Sequence, residues 1–250
     1  MKEVNNVKHF DIVEIVEMFS SRETEESIKN YLETQKLKGK KIDGEWHATK
    51  ENIENLIEEV ENISIAFSDP QEIDLRNIKL NGRILDIGGG GEGVIGQLKG
   101  SNVVAIDLRK SELEESYEAG DKESLKIIMD AKELKFLDKT FDTITAFFSL
   151  MYVPKNDHEQ IFKEIYRTLK VKGEFVLWDL IIPKNTIKKH LFAIPITVQI
   201  KDKKIKTGYG TRWNKEQNIK DFIALGRKVG FTVREQKQEA EYFFLRFEKE

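Results

Sequence analysis

Four consecutive glycines at 88–91 follow directly on the apolar run Ile84-Leu85-Asp86-Ile87, and Glu92-Gly93 completes the break. No strand or helix interior accommodates such a run, because glycine loses more backbone freedom on ordering than any other residue. Its place is a tight turn from a buried strand into a helix. There the missing Cβ lets the backbone approach a ligand, and the helix start offers N–H groups. A glycine-rich turn is shared by several nucleotide-binding folds and does not choose among them. A phosphate-gripping P-loop is excluded, since no Gly-Lys-Ser/Thr follows.

The surrounding rhythm places this turn in an α/β fold. The pattern predicts strands at 83–87, 102–107, 124–129, 141–148 and 174–182, with helices near 91–99, 110–119 and 157–169. Apolar strands separated by helices imply a parallel sheet covered on both faces. Residues 215–229 read as a helix ended by Gly230. The segments 231–238 and 241–248 read as strands joined so tightly that they must pair antiparallel.

Three carboxylates narrow the ligand. Asp86 ends the first strand beside the glycines, Asp107 ends the second, and Asp130 follows the third, next to Ala131. An acid at the second position accepts hydrogen bonds from both hydroxyls of a ribose. One at the third position reaches an adenine amino group. Three acids around one pocket suit a cationic, phosphate-free adenosyl ligand and repel a pyrophosphate.

On these residues, segment 81–182 resembles the class I S-adenosylmethionine-dependent methyltransferases, and the terminal strand pair resembles that fold's reversed last strand. The resemblance implies a Rossmann-like, doubly wound, seven-stranded sheet with an antiparallel last strand. It also implies S-adenosyl-L-methionine as cofactor and S-adenosyl-L-homocysteine as product. Asp86, Gly88, Gly89 and Gly90 match the motif that wraps the methionine part. Asp107 matches the ribose acid and Leu108 the adenine-packing position, while Asp130 and Ala131 match the adenine-edge pair. Phe148 and Ser149 match the segment that touches the ligand and faces the substrate. The segment Leu169-Lys170-Val171-Lys172-Gly173 resembles the turn before the fifth strand. The fourth consecutive glycine makes the loop one residue longer than the common spacing. A Rossmann-like domain binding another nucleotide, or none, is the competing reading.

The acceptor is constrained by exclusion. The chain has no cysteine, which removes cytosine-C5 methylation, thiolate relays, disulfides and thiolate metal sites. The segment after the fourth strand reads Phe148-Ser149-Leu150-Met151-Tyr152, unlike the acid- or Asn-Pro-Pro-aromatic motif of DNA amine methylases. Methyl transfer is a direct displacement, so alignment matters most, with a base needed only for a protonated acceptor. The candidate substrate-facing residues are Tyr152, Asp179 and His190. Tyr152 reads equally as a packing aromatic, and Asp179 as a solvated acid. His158 reads as a surface residue of a first helical turn. No His/Asp/Glu spacing points to a metal. Residues 184–213 read as a β-hairpin insertion that lids the acceptor site, with Tyr209 and Trp213 against substrate, or that serves dimerisation.

The first 62 residues carry nine Lys and Arg against fifteen Asp and Glu, whereas the whole chain is at −3. They are expected to form a separate module, residues 1–66, with the methyltransferase domain at 67–250. Asp11 and Thr49 read as helix caps, Ser20-Ser21 as a turn, and Asp43-Gly44 as a two-residue hairpin. This order, carried by residues 10–15, 28–32 and 37–46, resembles the winged helix-turn-helix of excisionase-type regulators. Its recognition helix holds Glu23, Glu25, Glu26 and Glu33 with Arg22, Lys29 and Asn30, so nucleic acid is disfavoured and capping or dimerisation is favoured. The expected protein is a cytoplasmic enzyme acting on a small molecule, without a signal peptide or membrane span and with a homodimer left open. The alternatives are an RNA or protein methyltransferase, or a cofactor-sensing DNA-binding regulator without turnover.

Overall fold

The computed structural model describes residues 2–4, 7–19, 23–61 and 64–250. They form two compact units that the chain enters in turn. One comprises Met1–Gln71, Lys184–Thr197 and Lys206–Lys215; the other comprises Glu72–Pro183, Val198–Ile205 and Glu216–Glu250. This corrects the expected single boundary between residues 66 and 67, because the insertion after the fifth strand of the α/β domain is divided between the units. Among the described residues, no helix is long and apolar enough to cross a membrane.

The first unit begins with β1 (Lys2–Val4), β2 (Val7–Asp11), α1 (Ile12–Val16), α2 (Glu25–Glu33), β3 (Gly39–Ile42), β4 (Glu45–Thr49), α3 (Lys50–Glu61) and β5 (Ile65–Phe67). The helices start where their caps allow. Asp11 accepts from Glu14 N while the Glu14 carboxylate accepts from Asp11 N, and Thr24 does the same with Ser27. The Asp43-Gly44 turn has φ of 54° and 86° and brings Ile42 opposite Glu45. Positive φ at both central residues is what a type I′ hairpin requires. The apolar spacing closes a small core in which Ile15, Ile28, Leu32, Ile53 and Ile57 are fully buried. The sheet order β1-β2-β4-β3 includes two strands, β1 and β2, that the sequence pattern did not signal. The turn expected at Ser20-Ser21 lies outside the described residues.

The chain continues through β6 (Gln71–Asp74), β7 (Ile84–Ile87), α4 (Val94–Lys99), β8 (Val103–Asp107), α5 (Lys110–Ala119), β9 (Leu125–Ile128), β10 (Phe141–Phe147), α6 (Lys155–Thr168) and β11 (Leu169–Leu180). The hairpin β12 (Leu191–Ile200) and β13 (Lys203–Arg212) precedes α7 (Ile219–Val229), β14 (Phe231–Gln238) and β15 (Tyr242–Lys249). Seven strands form one sheet in the order β14-β15-β11-β10-β7-β8-β9. Strands β7 to β11 are mutually parallel, and β15 runs antiparallel to both β11 and β14. The expected seven strands with a reversed last strand are present. The chain moves outward from β7 to β9, then returns to the other side of β7 as β10. The topological switch, where open α/β sheets bind ligands, therefore lies at the carboxyl ends of β7 and β10.

Aromatic packing joins α6 to the sheet. Phe162 of α6 meets Phe175, Phe231 and Phe247 edge-on at 5.3–6.5 Å between ring centroids. Such contacts add about 0.5–1.5 kcal/mol each beyond area burial. The expected turn at 169–173 is an irregularity inside β11: pairing with β10 slips between Phe141 and Thr143, and Lys172 has φ of 63°. At the hairpin tip, Lys201 Nζ donates to Gln97 O at 3.1 Å and Lys203 Nζ to Gln97 Oε1 at 2.8 Å, tying it to the last turns of α4. Its base pairs with β5, with Leu191 opposite Ile65 and Ala193 opposite Phe67.

Candidate functional site

The glycine turn is packed against its neighbours on every side. Gly88, at φ 69°, lies under Ser149, where a Cβ would collide with the serine side chain. A Cβ on Gly89 would fall 2.7 Å from Asp86 Oδ2 and 2.9 Å from Ala105 Cβ. On Gly90 it would press on Glu112 and come within 3.1 Å of Asp107 Oδ2. Gly89 and Gly90 are thus required by the closeness of the site's own acids, and Gly88 by Ser149. The turn's amides are largely committed as well. Gly88 N and Gly89 N both donate to Ile106 O, Gly91 N to Glu112 O, and Gly93 N to Gly90 O. Three of these bonds hold the loop to β8 and α5, and the fourth closes the loop on itself.

Asp86 sits at the switch point, 3% exposed, and accepts a 2.7 Å hydrogen bond from Thr145 Oγ1 on the neighbouring β10. Burial pushes its carboxyl up to about 7, the Thr145 bond pulls it back, and the charges of Asp121 and Asp107 push it further up. Asp86 is therefore poised between neutral and ionised near neutral pH. Thr145 was not identified from sequence. Its signal was a polar residue inside the apolar run 141–147, and its register opposite Asp86 came only with the strand order.

Asp107 and Asp130 are each fixed through one carboxylate oxygen. Arg109 N donates to Asp107 Oδ1 at 2.9 Å and Lys132 N to Asp130 Oδ1 at 2.8 Å, while Asp130 Oδ2 lies 3.8 Å from Lys132 Nζ. Asp107 ends β8 and Asp130 follows β9, two strands that lie side by side, with Asp107 opposite Ile128. Leu108 beside Asp107 is 65% exposed, and Ile128 before Asp130 is similarly exposed. Glu112, another residue not picked out from sequence, pairs with Arg109 at 2.8 Å beside the glycine turn, and burial raises its carboxyl.

On the other half of the edge, the expected residues separate. Ser149 Oγ donates to Ile87 O at 2.7 Å and so closes the switch between β7 and β10. Phe148 has φ of 50° and its side chain is 1% exposed, edge-on to Phe147 at 5.0 Å, so its ring belongs to the aromatic packing. Tyr152 is exposed. Asp179 is fully buried, which corrects its reading as a solvated acid. Its Oδ1 accepts from Leu180 N at 2.7 Å and from Gln217 Nε2 at 3.1 Å. His158 is likewise buried rather than on the surface, and its Nε2 donates to Leu150 O at 3.1 Å. His190 belongs to the first unit, with Nδ1 2.9 Å from Ser64 Oγ. Trp213 of that unit packs on Phe192 at 5.0 Å. Among the described residues, no group of three or more His, Asp or Glu is arranged to hold a metal.

Comparison with known proteins agrees with this geometry. Residues 85–177, the segment from β7 into β11, match the model of the methyltransferase domain family. The chain is similar to a sterol 4-C-methyltransferase of Caenorhabditis elegans, 35% identical over 40% of this chain and 32% of that one. It is also similar to a ubiquinone/menaquinone biosynthesis C-methyltransferase of Rickettsia typhi, 32% identical over 45% of this chain and 50% of that one. The aligned parts thus span half or less of these curated relatives. A solved SAM-dependent methyltransferase from Methanosarcina mazei shares the fold, with a TM-score of 0.52 at 18% identity over 71% of this chain and 99% of that one.

Proposed function

We propose that this chain is an S-adenosylmethionine-dependent methyltransferase acting on a small-molecule acceptor. The observation that carries the reading is the acid set at three adjacent strand ends, Asp86, Asp107 and Asp130, with the glycine turn closed against it. This set offers acceptors to a ligand rich in donors and positive charge. It fits an adenosyl sulfonium and opposes a pyrophosphate. Bound there, S-adenosylmethionine supplies an electrophilic methyl group, leaving S-adenosylhomocysteine when the acceptor displaces it. The residues hold and orient. Asp107 receives the ribose hydroxyls, Asp130 and Ala131 meet the adenine edge, and Leu108 covers a face of the base. Asp86 with Gly88, Gly89 and Gly90 takes the methionine part, and Ser149 keeps the turn shut. Catalysis then rests on alignment, worth several kcal/mol when reacting atoms are held in line.

The sterol and quinone methyltransferases among its relatives support a small acceptor. In the N-terminal unit, which we read as winged-helix-like, α2 carries Glu25, Glu26 and Glu33 against Lys29, and this supports a capping or dimerising role over DNA binding. The cysteine-free composition supports a reducing, cytoplasmic setting. Calorimetric titration with S-adenosylmethionine and, separately, with NAD tests the proposal. Binding of the first alone is expected. Binding of NAD, or of neither, overturns it.

A further inference from the structure

Charge is distributed unevenly along this chain. The whole is at −3, yet residues 184–215 hold nine Lys and Arg against a single acid, Asp202. Such an excess acts locally, because charges more than about 8 Å apart are largely screened at physiological ionic strength.

The loop that leads into β12 carries the part of this excess that is free to act. Asn185 Nδ2 donates to Lys189 O at 2.7 Å and to Trp213 O at 3.1 Å, so one side chain closes residues 185–189 and ties them to the residue after β13. Trp213 N donates to His190 O at 2.9 Å, and His190 N to Ser64 O at 2.8 Å, which fixes the base of the loop. Lys188, at φ 57°, turns the chain within it. The base is held and the tip stands in solvent: Ile187 is 59% exposed, with Lys184 and Lys188 exposed on either side of it. Lys189 is neutralised by Glu58 of α3 at 2.8 Å. Lys184, Lys188 and Arg212, which precedes Trp213, enter no ion pair among the described residues. The sequence offers them no acid between 184 and 201.

An aliphatic tip flanked by lysines suits a surface that is anionic outside and apolar just beneath. Cations meet the headgroup charge while the apolar side chain enters the acyl boundary. We infer that the loop 184–189 docks the protein, peripherally and reversibly, on an anionic lipid bilayer, with Ile187 entering the interface and Lys184 and Lys188, supported by Arg212, against the headgroups. Nucleic acid is a poorer occupant. Single strands are held by stacking on open aromatic rings, whereas Trp213 is only 9% exposed and packs on Phe192. A second copy is poorer too, since a two-fold contact at this loop sets the same lysines against each other. The docking does not depend on the proposed methyl transfer.

The test sediments the full-length chain with vesicles of phosphatidylcholine alone and of an equimolar mixture with phosphatidylglycerol. Binding to the mixed vesicles, weakened by added salt, and none to the neutral ones is expected. Lys184→Gln with Lys188→Gln is expected to weaken it roughly 25-fold, at about fivefold per cation. Ile187→Asp is expected to weaken it about tenfold or more. Lys38→Gln with Lys40→Gln makes the same charge change elsewhere in the first unit and is expected to leave binding within about twofold. Because the chain has no cysteine, Ile187→Cys takes a single nitrobenzoxadiazole label. Its emission is expected to brighten and shift to the blue on the mixed vesicles, while the same label at Lys40→Cys stays unchanged. No binding to the mixed vesicles, binding untouched by the double lysine variant at the loop, or a label at 187 that remains in water would overturn the inference. Without vesicle binding, retention of an RNA oligomer would give the loop to nucleic acid, and self-association lost in Ile187→Asp would give it to a second copy.

Discussion

Along the carboxyl edge of one sheet, the ends of β7, β8 and β9 present acids, glycines and bare aliphatic chains, whereas β10 and β11 lead into aromatic rings and a buried amide. The first half is specified by close approach. Gly89 and Gly90 are needed because Asp86, Asp107 and Glu112 lie where their side chains would be, and Gly88 because Ser149 does. The second half is specified by packing, which tolerates substitution where volume is kept. A shared cofactor and a variable acceptor call for that division of labour, since function resides in sites placed on a fold and not in the fold itself.

The contrast breaks first at Asp86. Its folded-state carboxyl titrates near 7, above the ordinary value of 3.8, so the folded chain holds a proton that the unfolded chain has released. The stability contribution is thus full below about pH 4, declines as pH rises through about 7, and is then lost. Asp86→Asn removes that loss and is expected to be about 3–4 kcal/mol more stable than the parent at pH 8, at 1.36 kcal/mol per pKa unit. Urea unfolding at pH 5 and pH 8 reads it; a variant no more stable at pH 8 would mean that burial does not govern this acid. The same variant is expected to lose S-adenosylmethionine binding, separating stability from function at one atom pair.

Gly88→Ala comes next. A side chain at φ 69° and a collision with Ser149 together cost about 2–3 kcal/mol, read as a lowered unfolding midpoint. Asp107→Ala removes a charged acceptor for two hydroxyls and is expected to weaken S-adenosylmethionine binding about 100-fold by calorimetry, within the range for hydrogen bonds to charged groups. Unchanged affinity would move the ribose elsewhere. Thr145→Val deletes the bond that holds Asp86 down, so its titration should move above 7 by roughly 1 kcal/mol equivalent, visible in a carboxyl-carbon NMR titration. Smallest is Leu108→Ala, a few-fold loss of affinity with no change in stability, since this side chain is mostly in solvent.

How much of this was legible in the sequence follows the same division. The strands, the reversed β15 and the acids at 86, 107 and 130 were readable because each is written locally, as an apolar run followed by glycine or aspartate. Helix α5 and strand β14 appear with the expected bounds. What escaped depends on register or on distant chain. Thr145 matters only because β10 lies beside β7, and Gln217 only because it bridges to Ile182. Asp179 read as solvated because a lone acid at a strand end usually is; the chain returning at 217 buries it. β1 and β2 escaped because a three-residue strand and a five-residue strand carry too few alternations to register.

The divided hairpin has a consequence in time. Residues up to Gln71 leave the ribosome first, yet β5 lacks its neighbour until β12 at 191–200 has been made. At roughly 5–20 residues per second, that interval is about 6–25 s. Throughout it the nascent N-terminal unit carries an unpaired strand edge of Ile65, Ala66 and Phe67, while the α/β sheet is still waiting for β15 to be synthesised. Neither half of this molecule can be finished before the other has largely been translated.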